Sequence, residues 1–199
     1  MNSARIARRR ILQGGGVLIL YAASPLIWAQ ALVASCSRRD WRFCNKCQAM
    51  FYRLDGGGVC TDGKAHKAQG YNFDLPYYDS GACSDGKRET TTAQPRWNCC
   101  KYCSVLYFDG YRNKGHCWAK GPEGHTASSS SGYVLPHDVP GTPTAQTEWR
   151  FCNKCHAMFY DGYGERGTEK GRCPAGGGHV AQGYGFVLPH ERPPGGVLR

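Results

Sequence analysis

Short runs of β-prone residues recur along the chain, and each is bounded by residues that favour turns. Three of these runs precede an Asp-Gly pair, a strong signal for a turn between short strands. Three further runs each end at a proline, which predicts the end of a strand. No long stretch after residue 35 has the spacing of an amphipathic helix. The six predicted strands are Met50–Tyr52, Tyr71–Leu75, Leu106–Phe108, Tyr133–Leu135, Met158–Tyr160 and Tyr184–Leu188.

The predicted strands belong to a sequence repeat that occurs three times. Trp41–Tyr52, WRFCNKCQAMFY, returns almost letter for letter at Trp149–Tyr160 as WRFCNKCHAMFY, and in a more diverged form at Trp97–Phe108 as WNCCKYCSVLYF. Stretches rich in Pro, Thr and Gly separate the copies and are typical of linkers. The predicted division is an export segment at 1–35, repeat units at 41–78, 97–137 and 149–190, linkers at 79–96 and 138–148, and a flexible tail at 191–199.

Each copy carries three cysteines and one histidine in the same order. A Cys-x2-Cys pair is followed by a third cysteine after 12, 13 or 17 intervening residues, and by a histidine after a further five or seven. Zinc takes four thiolate or imidazole ligands in a tetrahedron, and a Cys-x2-Cys turn presents two of them on one side. The spacing therefore predicts three closed Zn²⁺ sites, one in each unit. Their ligands are Cys44, Cys47, Cys60 and His66; Cys100, Cys103, Cys117 and His125; and Cys152, Cys155, Cys173 and His179.

Composition favours a fold that depends on these sites. The 199-residue chain has 27 Gly, 11 Pro and 12 Cys, which favours small, loop-rich units over one large core. Units of about 40 residues rarely bury enough apolar surface to fold without a metal or a disulfide. A cysteine turn and a hairpin that share one metal resemble the zinc-ribbon class, although a second Cys-x2-Cys turn is more usual there than Cys and His. The predicted fold is therefore mostly β, with three small, metal-stapled, zinc-ribbon-like hairpin units.

Disulfide bonds are the alternative means of holding the units together. A disulfide framework is natural in a secreted cysteine-rich chain. Three cysteines per unit would, however, leave one thiol unpaired in each unit or require pairing between units. Outside the predicted zinc sites, Cys83 and Cys99 could form a disulfide, or Cys99 could be an idle neighbour of Cys100.

The N-terminal segment predicts export from a bacterial cell. Residues 7–13, ARRRILQ, resemble the twin-arginine export motif, and an apolar stretch from Val17 to Ala29 leads to a small-x-small cleavage site at Ala29–Ala31. A retained membrane helix is the alternative, although three glycines and a proline make this segment a poor helix. Val33–Cys36 also resembles a lipobox, in which Cys36 would carry the lipid. We therefore expect a periplasmic or extracellular protein, either released or anchored as a lipoprotein.

The twin-arginine resemblance implies a route that carries folded, cofactor-loaded proteins. Metal could then be inserted in the reducing cytoplasm, before the thiols meet an oxidising compartment. A membrane contact is expected only through the signal segment or a lipid anchor.

Charge and motif content narrow the range of functions. The formal charge is +10, but four of the 25 basic residues lie in the export segment, so 21 basic and 15 acidic residues remain, a charge of +6. No run of five like charges occurs, which gives little support for a nucleic-acid partner. The chain also lacks G-x-S-x-G, H-E-x-x-H and any carboxylate pair that recurs with the repeats, so neither a catalytic residue nor a small-molecule substrate is predicted.

Aromatic residues at matching places in the repeats are candidates for ligand contact. The tryptophan that precedes the first cysteine of each unit is expected to pack over the metal turn, or alternatively to serve as a stacking platform for sugar rings. His116, His156, His137 and His190 are expected at the surface. The speculative ligand contacts are Trp41, Tyr52, Tyr71, Trp149, Tyr160 and Tyr184.

The tandem pattern W-x2-C-x2-C-x2-[ML]-[FY]-[FY], followed by a G-x-C cysteine and a histidine, resembles repeats in exported bacterial proteins. The resemblance implies a module and not an activity. We therefore expect a non-enzymatic, zinc-stabilised binding or structural module at the cell envelope, with a glycan or a protein as its partner. The alternatives are an exported enzyme, either a hydrolase with a degenerate zinc site in unit two or a thiol-disulfide protein, and a disulfide-stapled scaffold.

Overall fold

The computed structural model describes residues 36–79, 81, 83, 89–129, 132–163 and 170–191. The predicted export segment, the proposed cleavage site and nearly all of the predicted tail lie outside these residues. Within the described ranges the chain is all strand, which confirms the mostly β fold class. The strands are β1 (Ser37–Cys44), β2 (Met50–Tyr52), β3 (Ala68–Tyr78), β4 (Ala93–Cys99), β5 (Leu106–Phe108), β6 (Gly132–Pro136), β7 (Ala145–Cys152), β8 (Met158–Tyr160) and β9 (Ala181–Pro189).

Each repeat forms a three-stranded antiparallel unit with its first strand in the middle. Units one and two join in one six-stranded sheet of order β2-β1-β3-β6-β4-β5, and unit three forms a three-stranded sheet of order β8-β7-β9. The Cys-x2-Cys segment is itself the turn between the first two strands, where the Gln48 N–H donates to the Cys44 carbonyl at 2.8 Å. The prediction that the Asp-Gly pairs turn the hairpins is therefore wrong. The described chain after each pair forms no strand, because it is the loop that carries the third cysteine to the metal cluster.

The strands extend beyond the predicted unit boundaries. β4 begins at Ala93 and β7 at Ala145, inside the segments predicted as linkers. These added residues are structural, since the Gln94 and Gln146 side chains accept hydrogen bonds from the indole N–H groups of Trp97 and Trp149, both at 3.1 Å. β3 also passes through its proline and ends at Tyr78, because its last two residues pair with β6.

The three units close into a ring with pseudo-threefold symmetry. Each short middle run bridges the next unit: Phe51 pairs with Val105, Tyr107 with Ala157, and Phe159 with Ala49 of unit one. The last strands repeat the same cycle. Their pairs are Tyr77 with Tyr133, His137 with Phe186, and His190 with Phe73. The units are therefore parts of one closed assembly and not separate beads.

Two layers of core lie within the ring. One contains the three tryptophans, and each indole packs edge-on against an aromatic ring of the next unit at centroid distances of 5.0–5.2 Å. The other contains the nine cysteines predicted as ligands. The short strand β2 contributes to both layers, since Met50 belongs to the tryptophan layer and Phe51 to the cysteine layer. The metal ligands therefore lie in a layer of their own, at the bridges between units.

Candidate metal centres

Two local elements bring together the ligands of each predicted site. In unit one, Cys44 ends β1 and Cys47 lies in the turn that follows, while Cys60 and His66 come from the loop before β3. All twelve predicted ligands are buried, and the four ligand atoms of each set lie within 4.8 Å of one another. The structure thus gathers three Cys₃His clusters that could hold metal ions, with the membership that the spacing predicts.

The spacing inside each cluster fits a tetrahedral ion. Cys44 Sγ lies 3.8 Å from Cys60 Sγ, and Cys47 Sγ lies 3.4 Å from His66 Nδ1. Bonds of about 2.3 Å to sulfur and about 2.0 Å to nitrogen would place tetrahedral neighbours about 3.8 Å and about 3.5 Å apart. The corresponding distances are 3.8 and 3.5 Å in unit two, and the sulfur–nitrogen distance is 3.4 Å in unit three. A disulfide would need about 2.05 Å between sulfurs, so the clusters suit an ion.

Hydrogen bonding within a cluster favours thiolate at its first cysteine. Hydrogen bonds with Cys47 and Cys60 hold the pKa of Cys44 far below that of a free thiol, whereas burial raises the pKa of Cys47. Burial alone would lower the pKa of His66, but hydrogen bonds with Cys44 and Cys60 outweigh it and raise this pKa to about 9. His125 repeats this behaviour in unit two. Negative charge thus gathers on sulfur, where a cation would displace the shared protons.

Each ligand histidine also connects its cluster to the next one. With Nδ1 facing its own cluster, the Nε2–H of His66 donates to the carbonyl oxygen of Cys103 at 3.2 Å. His125 donates to the Cys155 carbonyl at 3.1 Å, and His179 donates to the Cys47 carbonyl at 3.0 Å. Such outer hydrogen bonds fix the tautomer and orientation of a ligating imidazole. Here they also form a closed cycle through all three clusters.

A glycine of the same loop also packs closely against this carbonyl group. Gly58, Gly115 and Gly171 each precede the third cysteine by two residues and have positive φ values of 58–68°. A Cβ on Gly58 would lie 2.1 Å from the carbonyl oxygen of Cys103, and the other two glycines are equally close to Cys155 and Cys47. The glycine of the G-x-C pattern is therefore required both by its backbone conformation and by its contact with the neighbouring unit.

Rings different from those predicted cover the ligand histidines. Phe51, Tyr107 and Phe159 stack on His66, His125 and His179 at centroid distances of 4.7–4.8 Å. The tryptophans belong to the other core layer, so the expectation that they cover the metal turns is wrong. The centre of each MFY or LYF run carries this role, because alternate residues of a strand face opposite sides.

The predicted ligand-contact residues are mostly enclosed. Trp41 and Trp149 are completely buried, which rules them out as stacking platforms in this structure. Tyr52 and Tyr160 are partly buried and pack against the tryptophan core. Tyr71 and Tyr184 are more than a third exposed, and each has one face stacked on a histidine, His190 or His137, at 3.7–3.8 Å.

Three of the histidines expected at the surface are buried. His137 and His190 fill the gaps between last strands of neighbouring units, where their rings stack on tyrosines. His156 packs against Tyr111 and Phe151 beside the cluster of unit three. The surface expectation is therefore wrong for these three, because the closed ring covers faces that a separate unit would leave open. His116 is half-buried.

The cysteines outside the clusters pair differently from the prediction. Cys36 and Cys83 form a disulfide, and Cys99 remains a free, buried thiol. Of the two alternatives for Cys99, the Cys83–Cys99 disulfide is wrong and the idle neighbour of Cys100 is found, at the core position that Phe43 and Phe151 hold in the other units. The disulfide also uses the sulfur that a lipid anchor on Cys36 would need, so lipidation and this structure exclude each other.

One residue near the clusters went unnoticed in the sequence. Trp118 follows the third cysteine of unit two, and its ring lies 5.9 Å from His66, 6.4 Å from His125 and 5.9 Å from His179. It therefore stands close to the pseudo-threefold axis. Alignment of the repeats could have singled it out, because the equivalent residues are Thr61 and Pro174.

Comparison with known protein families, with characterised proteins and with solved structures found no match to this chain. In the described part of the chain no helix has the length and apolar character needed to cross a membrane. The clusters and the surfaces around them are therefore the features that indicate a function.

Proposed function

We propose that this chain is exported from a bacterial cell and acts at the envelope as a non-enzymatic, zinc-stabilised module that binds a glycan or a protein. The observation that carries the proposal is the closure of all three clusters. Each offers four buried ligand atoms, whereas a catalytic zinc site keeps one position open for water or substrate. Three metals in this arrangement would stabilise the fold, and a partner would bind at the protein surface.

The donor set favours zinc over other biological cations. Three sulfurs and one imidazole in a tetrahedron suit zinc, whereas calcium and magnesium prefer oxygen ligands and divalent copper prefers a square-planar arrangement. When bound, zinc would cross-link the cysteine turns to the loops and contribute about 10–16 kcal/mol of apparent free energy. Nine cysteines and three histidines of this chain would hold it.

The cysteine pattern also supports export. A Cys36–Cys83 disulfide persists in an oxidising compartment such as the periplasm. The remaining ten cysteines are free and buried, and a metal would protect nine of them from the same oxidant. If the metal is loaded before export, on a route that carries folded proteins, one chain can contain both a disulfide and reduced cysteines.

The alternatives receive less support from the geometry. A hydrolase with a degenerate site in unit two would need a looser cluster there, yet its ligand distances agree with those of unit one within 0.1 Å. A thiol-disulfide protein would need an accessible cysteine, but the first cysteine of each Cys-x2-Cys pair is completely buried. A disulfide scaffold would need shorter distances between sulfurs.

Metal and thiol analysis of the purified mature protein tests the proposal. We expect about three zinc ions per chain and ten thiols that react only after a chelator and a denaturant are added. A metal-free protein whose cluster cysteines are oxidised would replace the zinc module with a disulfide scaffold. Two firmly held metals and a third, labile one in unit two would favour the hydrolase.

A further inference from the structure

The loops that carry the third cysteines surround a cavity at the centre of the ring. Its volume is about 630 Å³, and residues from all three units line it. Pockets of roughly 300–1,000 Å³ accommodate small ligands of one to a few rings. The three units contribute different side chains to this lining, although their backbones are related by pseudo-threefold symmetry. The side chains that differ are Thr61, Trp118, Arg172 and Pro174.

Trp118 supplies an aromatic ring that the metal clusters do not require. Units one and three reach the same ligand distances with Thr61 and Pro174 at this position. Trp118 is half-buried, whereas the other tryptophans in the described ranges are completely buried. Its indole N–H has no hydrogen-bond partner in the described structure, but this does not distinguish it, because the N–H of the completely buried Trp41 has none either. What distinguishes Trp118 is a partly exposed ring that lines the cavity and is not needed for coordination, which makes it a candidate for contact with a ligand.

Polar groups that could select a ligand lie beside this ring. Arg172 is exposed, and within the described part of the chain its guanidinium has neither an ion pair nor a hydrogen bond. Among the residues that the structure describes, the Thr61 hydroxyl has one such contact, with the Cys60 sulfur at 3.8 Å. The wall also includes the third cysteine of each cluster and several glycines, among them Gly63, Gly121 and Gly176, where backbone groups can approach a ligand without obstruction by side chains.

An aromatic ring beside free donors and acceptors is the combination that recognises a sugar. The C–H face of a pyranose packs on an indole, and its hydroxyls exchange hydrogen bonds with arginine, threonine and backbone groups. A divalent ion with three thiolates and a neutral imidazole carries a net charge of about −1, and three such centres would disfavour an anionic ligand. Arg172 is the one cation among the lining residues that the structure describes, and a single cation gives little support for binding of a nucleic-acid backbone.

We propose that the central cavity binds an uncharged saccharide of one to three rings, with a sugar ring packed on Trp118 and its hydroxyls bonded to Arg172 and Thr61. This inference rests on the proposed function as a binding module and gives it a site and a ligand class. The proposed sugar contact is therefore Trp118, which only unit two provides, and not the aromatic residues predicted at matching positions of the repeats.

Titration of the metal-loaded full chain with N-acetylglucosamine oligomers and cellobiose tests the inference by calorimetry and tryptophan fluorescence. We expect binding that weakens at least tenfold in Trp118→Thr and at least threefold in Arg172→Ala. Trp118→Thr copies unit one and should therefore retain three metals per chain, which is measured in parallel. Tyr163→Ala is the matched control, because it removes an exposed aromatic ring that does not line the cavity.

Sugar binding that is absent, weaker than oligonucleotide binding or independent of Trp118 would overturn the inference, whereas low metal content would overturn only the proposed function. If the wild type binds sugar and Trp118→Thr binds it equally well, the cavity is not the site, although the binding module stands. If Tyr184→Ala loses binding instead, the site lies at the exposed tyrosine–histidine stacks. A saccharide would be excluded as the ligand if the metal-loaded chain bound neither sugar. It would also be excluded if the chain bound a single-stranded oligonucleotide more tightly than either sugar. Metal content below three in the wild type is a failure of the proposed function and is recorded separately.

Discussion

The Nε2–H of His179 donates to the carbonyl oxygen of Cys47 at 3.0 Å, across 132 residues of sequence. This bond joins the last metal cluster to the first and completes the cycle that His66 and His125 begin. Each histidine faces its own cluster through Nδ1 and donates a hydrogen bond to the next cluster through Nε2. Loss of a histidine should therefore weaken its own cluster and the one to which it donates.

His179→Ala should therefore disturb two clusters. The substitution removes a ligand from unit three and leaves the Cys47 carbonyl, which belongs to a ligand turn of unit one, without its donor. We expect fewer than two tightly held metals per chain, with chelator resistance in unit one reduced at least tenfold. Metal analysis after timed chelator exposure gives the count. His116→Ala, which removes a histidine that is no ligand, should keep three, and two metals of wild-type stability in His179→Ala would contradict the coupling.

Glycine substitutions should separate backbone strain from contact between units. Gly58→Ala places a Cβ against the Cys103 carbonyl, whereas Gly63→Ala has a similarly positive φ and nothing within 4 Å. Left-handed backbone costs about 1–2 kcal/mol in both variants, and Gly58→Ala should lose a further 1–3 kcal/mol, roughly, from overpacking. Urea unfolding of the metal-loaded variants measures the difference. Equal losses would mean that the neighbouring unit does not press on this glycine.

Cys99→Ala should leave metal binding intact. The Cys99 thiol lies in the tryptophan core layer, and burial raises its pKa, so it is neither a ligand nor reactive in the folded chain. We expect three metals, a loss of stability of about 1 kcal/mol, and one thiol fewer than the ten of the wild type after unfolding with a chelator. Loss of a metal would place Cys99 in a cluster instead.

Cys83→Ser should lower the stability of the fold, because it releases Cys36 just before β1, without changing the metal clusters. The disulfide closes a loop of 47 residues, for which the chain-entropy relation gives at most about 4 kcal/mol. We expect a loss of about 2–4 kcal/mol in unfolding free energy and an unchanged metal content. Peptide mapping of the wild type without reductant should recover Cys36 joined to Cys83. Recovery of Cys36 with a lipid mass, or as a free thiol, would disprove this pairing.

The metal ligands could be predicted from sequence because their signal is local. Cys44 and Cys47 occupy one turn, and the third cysteine and the histidine follow within one loop, so composition and spacing determine each set. The short strands were equally visible, since Met50–Tyr52 and its two counterparts combine β-prone residues in a run of three.

The closure of the ring could not be predicted in this way. The contacts of His66 with Cys103 and of Phe73 with His190 join distant segments, and no local pattern specifies them. Their absence from the prediction explains the errors over His137 and Trp41, whose burial depends on neighbouring units. Gln94 and Gln146 lie in segments predicted as linkers from their Pro-, Thr- and Gly-rich composition, although each side chain accepts a hydrogen bond from an indole N–H.

The bridge between Phe73 and His190 also governs when the molecule can become compact during synthesis. His190 follows the last strand of unit three, so a growing chain holds two units whose outer edges lack a partner until unit three has been synthesised. A truncated product would keep those edges exposed and would be an evident target for proteases. If the chain is exported as proposed, a translocase that accepts only folded cargo would in this way receive only molecules in which all three units have joined.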